Sequence, residues 1–365
     1  MNSSDFNSST DDQLSTHVIK YPPSAAIFAF SFALTCILIG VSGNGLTILA
    51  LAFHKKLRLA ATTIFILSLS ATDLIFCCFN LPITAVRYYY QSWVLEDMLC
   101  QLFPMFFYLN VAASLFNIMA ITLNRFILIV WHKNYDRIYT KKKVWLMIAL
   151  CWTIPLCILL PTLFHQWGRF GLRPETFSCT ILRHNGSSPK KVLFLIGFIL
   201  PCLVIVACYS GIVIIVCRSK QKLASHQPKS VKSRRSDDDM CLTRMIATIF
   251  ATFLLCYLPL MLANVADNEE TIPWVHIIAS CLAWSASVWN PIVYALMNKR
   301  YRNAYGQVIR GIWGSRKTST ATASEQTHSS KPSYLATSVQ SLDHVNTVKL
   351  AKPIGQQTQN PNTSV

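Results

Sequence analysis

Apolar residues in this chain fall into seven long runs, at 25–53, 60–86, 100–130, 144–164, 192–217, 242–266 and 274–297, with polar segments between them. A helix rises about 1.5 Å per residue, so roughly twenty residues cross a hydrocarbon core of about 30 Å. No water is available there, so each run must be helical to satisfy its own backbone. The pattern predicts an all-α membrane protein: a seven-transmembrane helix bundle over 25–297, behind a polar head at 1–24. The third run reads CQLFPMFFYLNVAASLFNIMAITLNRFILIV, and its one charge is Arg125. An arginine near a helix end commonly snorkels to the interface. Here FILIV continues beyond it, which places Arg125 inside the segment, where an ionisable group is costly and usually functional.

After the seventh run comes NKRYRNAYGQVIRGIW. Tyr301, Tyr305, Val308, Ile309, Ile312 and Trp313 share one helical face and Lys299, Arg300, Arg302 and Arg310 lie elsewhere. That pattern predicts a short amphipathic helix, the eighth, over 298–313 at the membrane surface. From 314 to 365 the chain is rich in Ser, Thr and Gln without periodicity and reads as a disordered cytoplasmic tail.

Composition supports the membrane reading: 52% of residues are hydrophobic and 13% charged, against about 25% charged in soluble proteins. The net charge of +17 suggests nucleic acid until its placement is considered. Basic residues crowd the segments after runs one (Lys55, Lys56, Arg58), three (133–143), five (218–235) and seven (299–317). The head and the other loops hold few: Lys20, Arg87, Arg169, Arg173, Arg183, Lys190 and Lys191. The positive-inside rule then puts the N-terminus outside and the C-terminus in the cytosol, at the plasma membrane. The basic face meets anionic lipid heads and cytosolic partners, not nucleic acid.

Most cysteines lie within apolar runs as small hydrophobes. Cys100 and Cys179 alone are both placed on the oxidising side, which makes them a disulfide pair; two free thiols are the alternative. Asn2, Asn7 and Asn185 begin glycosylation acceptor triplets on the same side.

Several polar groups sit at membrane depth. Asp73 in the second run needs a partner, a proton or a cation. Ser114, Ser287 and Asn290 supply further oxygens for a small hard cation such as sodium. The plainer reading is a hydrogen-bonded carboxyl that joins helices. Pro155, Pro161, Pro201, Pro259 and Pro291 interrupt the later runs and predict kinks that serve as hinges.

Together Gly43-Asn44, Asp73, Cys100 with Cys179, Asn124-Arg125, Trp152, Pro201 with Tyr209, Cys256-Tyr257-Leu258-Pro259 and Asn290-Pro291-Ile292-Val293-Tyr294 resemble the rhodopsin-like G-protein-coupled receptors over roughly 25–313. Within that family the chain looks most like the arthropod trapped-in-endoderm and moody group of orphan receptors, which is related to the melatonin receptors. The resemblance implies an extracellular ligand and activation of a heterotrimeric G protein at an inner cavity opened by the sixth helix. It also implies a role in cell migration or in barrier glia. Arg125 is then restrained in the inactive state, with Tyr209, Asn290, Pro291 and Tyr294 supporting the active one. Asp73, Ser114, Ser287 and Asn290 form an allosteric sodium site, with no other cofactor expected.

The chain departs from the family at three places. Asn124 replaces the usual acid before the arginine, which loosens the restraint; Asp239 at the start of the sixth run is the candidate replacement partner. Tyr257 stands for the usual tryptophan, and Ala286 for an asparagine of the ion site. The ligand is bounded by exclusion. Trp284 stands where an opsin needs its lysine, and Phe107 where amine receptors need their aspartate. With Phe103, Tyr108, Tyr257 and Trp284, Phe107 predicts an aromatic pocket for a lipid-like ligand, with a negative head near Arg169, Arg173 or Arg183. A Thr363-Ser364-Val365 end fits a PDZ groove, and the Ser- and Thr-rich tail invites phosphorylation read by arrestin-like proteins. A transporter is the weaker reading, because no repeat and no path of intramembrane charges is seen. A scaffold that recruits cytosolic partners without G-protein activation remains the alternative. No G-x-S-x-G, H-E-x-x-H or phosphate loop argues for an enzyme.

Overall fold

A computed structural model of the chain describes residues 21–54, 57, 60–173, 176–184, 188–224, 232–266 and 272–311, with backbone alone at 219–224, 232–238 and 264–266. These residues belong to one compact unit, Met1–Gly314. The candidate sites at Asn2, Asn7, Asn185, Thr363 and Val365, and the tail, lie outside the described residues.

Among the described residues, seven helices are long and apolar enough to cross a membrane. They are α1 (Pro23–Phe53), α2 (Ala61–Tyr90), α3 (Asp97–Val130), α4 (Lys141–Leu163), α5 (Lys190–Arg218), α6 (Asp239–Ala263) and α7 (Pro273–Met297). As helices, α5 runs on to Ala224, and α6 begins at Lys232 and ends at Ala266. An eighth helix, α8, covers 299–311. The span α7 is the most buried at 67%, followed by α2 and α3 at 56% each, whereas α4 and α5 are at the rim with 28% and 22%. Leucines such as Leu38, Leu255 and Leu296 stay exposed on the outer faces, where hydrocarbon rather than protein is the solvent.

The centre is packed by Leu115, Ile118 and Ile121 of α3 against Phe65 and Leu69 of α2, Met245 and Ile249 of α6 and Tyr294 of α7. Close helix approach needs a small residue at one contact: a Cβ on Gly43 of α1 would sit 3.1 Å from the Pro291 ring of α7. Next to it, the Asn44 amide donates to the Gly40 carbonyl (3.0 Å) and to the Ser287 carbonyl (2.8 Å), which ties α1 to α7 at the carbonyl that Pro291, having no N–H, leaves without its helical donor. Trp152 of α4 donates to Ser68 of α2 at 3.1 Å.

Two helices contain a π turn, at Phe76–Asn80 in α2 and Leu195–Ile199 in α5. Each ends just before a proline, Pro82 and Pro201 respectively. A proline ring collides with the carbonyl four residues earlier and offers no N–H. Widening the turn by one residue relieves that collision and keeps the helix continuous. The Leu81 and Leu200 amides accordingly donate five residues back, to Phe76 and Leu195.

The segment between α4 and α5 forms an antiparallel hairpin, β1 (Arg169–Arg173) with β2 (Ser178–Leu182), in the register Leu172 opposite Cys179. The Cys100–Cys179 disulfide joins β2 to the start of α3 across 79 residues of sequence. Phe170 and Ile181 are buried against Met105, Leu109 and Leu159. The hairpin is thus a lid held to one end of the bundle covalently and by packing. At the opposite end α8 folds back, with Tyr301, Ala304 and Tyr305 buried and Lys299, Arg300, Arg302 and Arg310 exposed. The Tyr305 hydroxyl pairs with Thr47 of α1 at 2.8 Å. Burial pushes its phenol up to about 12, so it stays neutral.

Candidate ligand cavity and coupling site

Three polar sites lie along the bundle axis. At the disulfide end a cavity of about 580 Å³ opens beneath the hairpin, within the size range of small-molecule sites. Phe103, Phe107, Tyr108 and Trp284 line it, as the aromatic pattern predicts. Tyr257 does not: it packs on Phe253 (4.5 Å between centroids) and lines the smaller cavity below. Of the expected basic head contacts only Arg173 lines the large cavity. Arg169 and Arg183 do not, and Arg87, Lys190 and Lys191 do instead.

Midway, Asp73, Ser114, Asn290, Tyr257, Phe253 and Ala286 enclose a space of about 10 Å³. Asn290 donates to the Asp73 carboxylate at 2.7 Å. Ser114 donates to Thr72 at 3.2 Å. Ser287 is buried beside them but does not line the space. The one ion pair among the described residues lies elsewhere, so no cationic side chain pairs with Asp73. A single small cation fits that space and that donor set, since oxygen donors suit a hard ion.

At the far end Arg125 is buried, 5% exposed. Its guanidinium donates to Thr62 of α2 and, at 2.8 and 3.3 Å, to the carbonyl of Asn124. That carbonyl also accepts from Thr62 at 2.8 Å. The Asn124 amide donates in turn to the Tyr135 hydroxyl at 3.1 Å, in the loop beyond α3. Opposite, Asp239 of α6 pairs with Arg125 Nη1 at 3.6 Å and is partly exposed. Cys241, one half-turn on, donates through its thiol to the Met297 carbonyl of α7 at 3.1 Å. The inner end of α6 is therefore held against both α3 and α7. Tyr209 donates to the Thr243 carbonyl of α6 at 3.5 Å, while Tyr294 is fully buried and packs on Tyr301 at 5.9 Å between centroids. Neither bonds Arg125 in this arrangement.

A roofed cavity at one end, a small polar chamber at mid-depth and a restrained arginine at the other end define a seven-helix receptor bundle. The chain belongs to the rhodopsin family of seven-transmembrane receptors. The family described as "7 transmembrane receptor (rhodopsin family)" matches residues 43–294. Among its relatives, "Protein trapped in endoderm-1" of Drosophila melanogaster is 46% identical over 316 residues, 80% of this chain and 81% of that protein. "G-protein coupled receptor moody" of the same fly is 32% identical over 79% of this chain, which spans about half (52%) of that longer protein. "Melatonin receptor type 1B-B" of Danio rerio is 29% identical over 81% of this chain and 86% of that one. Squid rhodopsin shares the fold, with a TM-score of 0.70 and 21% identity over 80% of this chain and 87% of that one.

Proposed function

We propose that the chain is a plasma-membrane receptor, N-terminus outside, that takes an extracellular, lipid-like ligand under the β1–β2 hairpin and activates a heterotrimeric G protein at the Arg125 end. The carrying observation is the Arg125–Asp239 pair, which closes α6 onto α3 although Asn124 supplies no charge. Outward movement of α6 must break that pair and the Cys241–Met297 contact, freeing Arg125, Tyr209 and Tyr294 to line an opened cavity. The disulfide supports the orientation, because it forms in an oxidising compartment. Asp73, Ser114 and Asn290 would hold a sodium ion that favours the closed form, with Ala286 removing one donor and weakening it. Arrestin-like proteins reading the phosphorylated tail, a PDZ protein on Thr363 and Val365, and glycans on Asn2, Asn7 and Asn185 belong to the same reading. So does a part in cell migration or barrier formation, after the relatives the chain most resembles.

The test is ligand-free nucleotide exchange on a panel of Gα subunits in membranes, at matched surface expression. Native chain should speed exchange on at least one subunit, and Arg125→Ala should lower that rate about tenfold or more, equivalent to about 1.4 kcal/mol of lost coupling. Equal rates from the two versions would sink the G-protein reading and favour a scaffold.

A further inference from the structure

The cavity under the hairpin contains a charge that no acid among the described residues answers. Arg87, near the end of α2, is 9% exposed. Its Nη2 donates to the Tyr88 hydroxyl at 3.2 Å and its guanidinium lies 4.5 Å from the Tyr88 ring centre. Its Nε is buried with no acceptor. No carboxylate pairs with it among the described residues. The other charged side chains lining the cavity, Arg173, Lys190 and Lys191, are also basic, and no Asp or Glu among the described residues lines it. A buried cation left without an anion is unfavourable, and an oxyanion that pairs with it recovers that cost. A guanidinium offers five N–H groups in a planar fork that suits a carboxylate or phosphate.

Beside these basic groups the cavity has an apolar wall of Phe103, Phe107, Val111, Phe116, Leu159 and Trp284. The lining thus combines basic side chains with an aromatic and aliphatic wall, as an amphiphile combines a charged head with an apolar body.

We propose that Arg87 is the anchor for the ligand, and that the ligand is a small amphiphile with one oxyanionic head, a carboxylate or a phosphate monoester, and an apolar body seated on Phe107 and Trp284. This rests on the reading of the cavity as a ligand site and names the ligand's chemistry. It moves the head contact from the hairpin arginines to a residue of α2. Lys190, Lys191 and Arg173 add positive potential that draws an anion to the mouth, but the two-pronged contact belongs to Arg87.

The test is direct binding to the purified full chain in phosphatidylcholine nanodiscs, with four radiolabelled probes that share an oleoyl or oleyl tail: oleate, oleoyl lysophosphatidate, mono-oleoylglycerol and oleylamine. At least one acid should bind about tenfold or more tightly than the glycerol ester, with the amine weakest, as expected for a charge-assisted contact. The order of oleate and lysophosphatidate separates the carboxylate from the phosphate source. Arg87→Gln should bring the acids down to the level of the glycerol ester and leave the ester itself unchanged. If Arg87→Gln fails to reach the membrane, Arg87→Lys serves, since it keeps the charge but not the fork; the preference for the acid should then fall about threefold or more. Acids that bind no better than the ester, or a preference that survives substitution of Arg87, overturn the proposal. No G protein enters this assay, so acid binding without nucleotide exchange would keep the anchor and reject the coupling, and exchange without acid preference would do the reverse.

Discussion

Two buried arginines mark the two ends of the bundle, and they are treated in opposite ways. Arg125 is surrounded by acceptors from three elements: Thr62 on α2, Asn124 on its own helix and Asp239 on α6. Arg87, buried to a similar degree, has a neighbouring tyrosine and no acid among the described residues. A buried charge satisfied from within the chain stabilises the arrangement that satisfies it, here the closed inner end. A buried charge left unsatisfied raises the energy of the empty state and leaves a ligand to supply what is missing. The difference also separates how the ends are held. The disulfide end has a covalent tie, Cys100–Cys179; at the other end, among the described residues, α6 is held to α3 and α7 by noncovalent contacts alone.

The largest effect should come from cutting the covalent tie. Cys179→Ser removes a cross-link over a long loop, worth about 2–5 kcal/mol in typical proteins. The thermal midpoint in nanodiscs should fall by several degrees, and binding of the acidic probe should be lost with it. Basal nucleotide exchange should change by no more than about twofold, because distant sites are close to additive. A parallel change in exchange would mean that the two ends are one unit and the comparison is wrong.

The mid-depth chamber gives a smaller effect. Replacing choline chloride by sodium chloride should lower basal exchange of the native chain by about fivefold, the low end of allosteric couplings, since Ala286 removes a donor. Asp73→Asn should abolish the response while leaving its level in choline within about twofold, the range expected of independent sites. Salt sensitivity that persists in Asp73→Asn would place the ion elsewhere.

The fold was legible because lipid leaves the backbone so few options. Seven apolar runs became seven helices, and the eighth followed from the tyrosine stripe at Tyr301 and Tyr305. The disulfide followed from compartment alone. What stayed hidden had local causes. The π turns depend on where Pro82 and Pro201 fall relative to the previous turn, which no hydropathy pattern shows. The β1–β2 hairpin lies in a segment read for its cysteine, its glycan and its arginines and not for strands, and its register depends on packing against α3 and α4. The apolar run stops at 86, which puts Arg87 in a loop. In fact α2 continues through Tyr90, since tyrosines and an arginine stem pack as apolar groups while keeping a polar tip. The three tyrosines at 88–90 were the signal that the helix goes on. Asp239 was identified because it is the acid nearest the start of the sixth run. The Thr62 and Tyr135 contacts of the Asn124–Arg125 pair were missed, since both partners come from elements remote in sequence or irregular in form.

The central claim is that Asp239 restrains Arg125 in place of the acid that Asn124 does not provide. The direct measurement is ligand-free nucleotide exchange by Asp239→Asn and by Asn124→Asp, at matched surface expression. Asp239 is partly exposed, so its pair is worth about 1 kcal/mol at most. Asp239→Asn should raise basal exchange by about two- to fivefold. Asn124→Asp should lower it, because a second carboxylate then holds the guanidinium. Opposite signs support the restraint; an unchanged or lower rate in Asp239→Asn contradicts it.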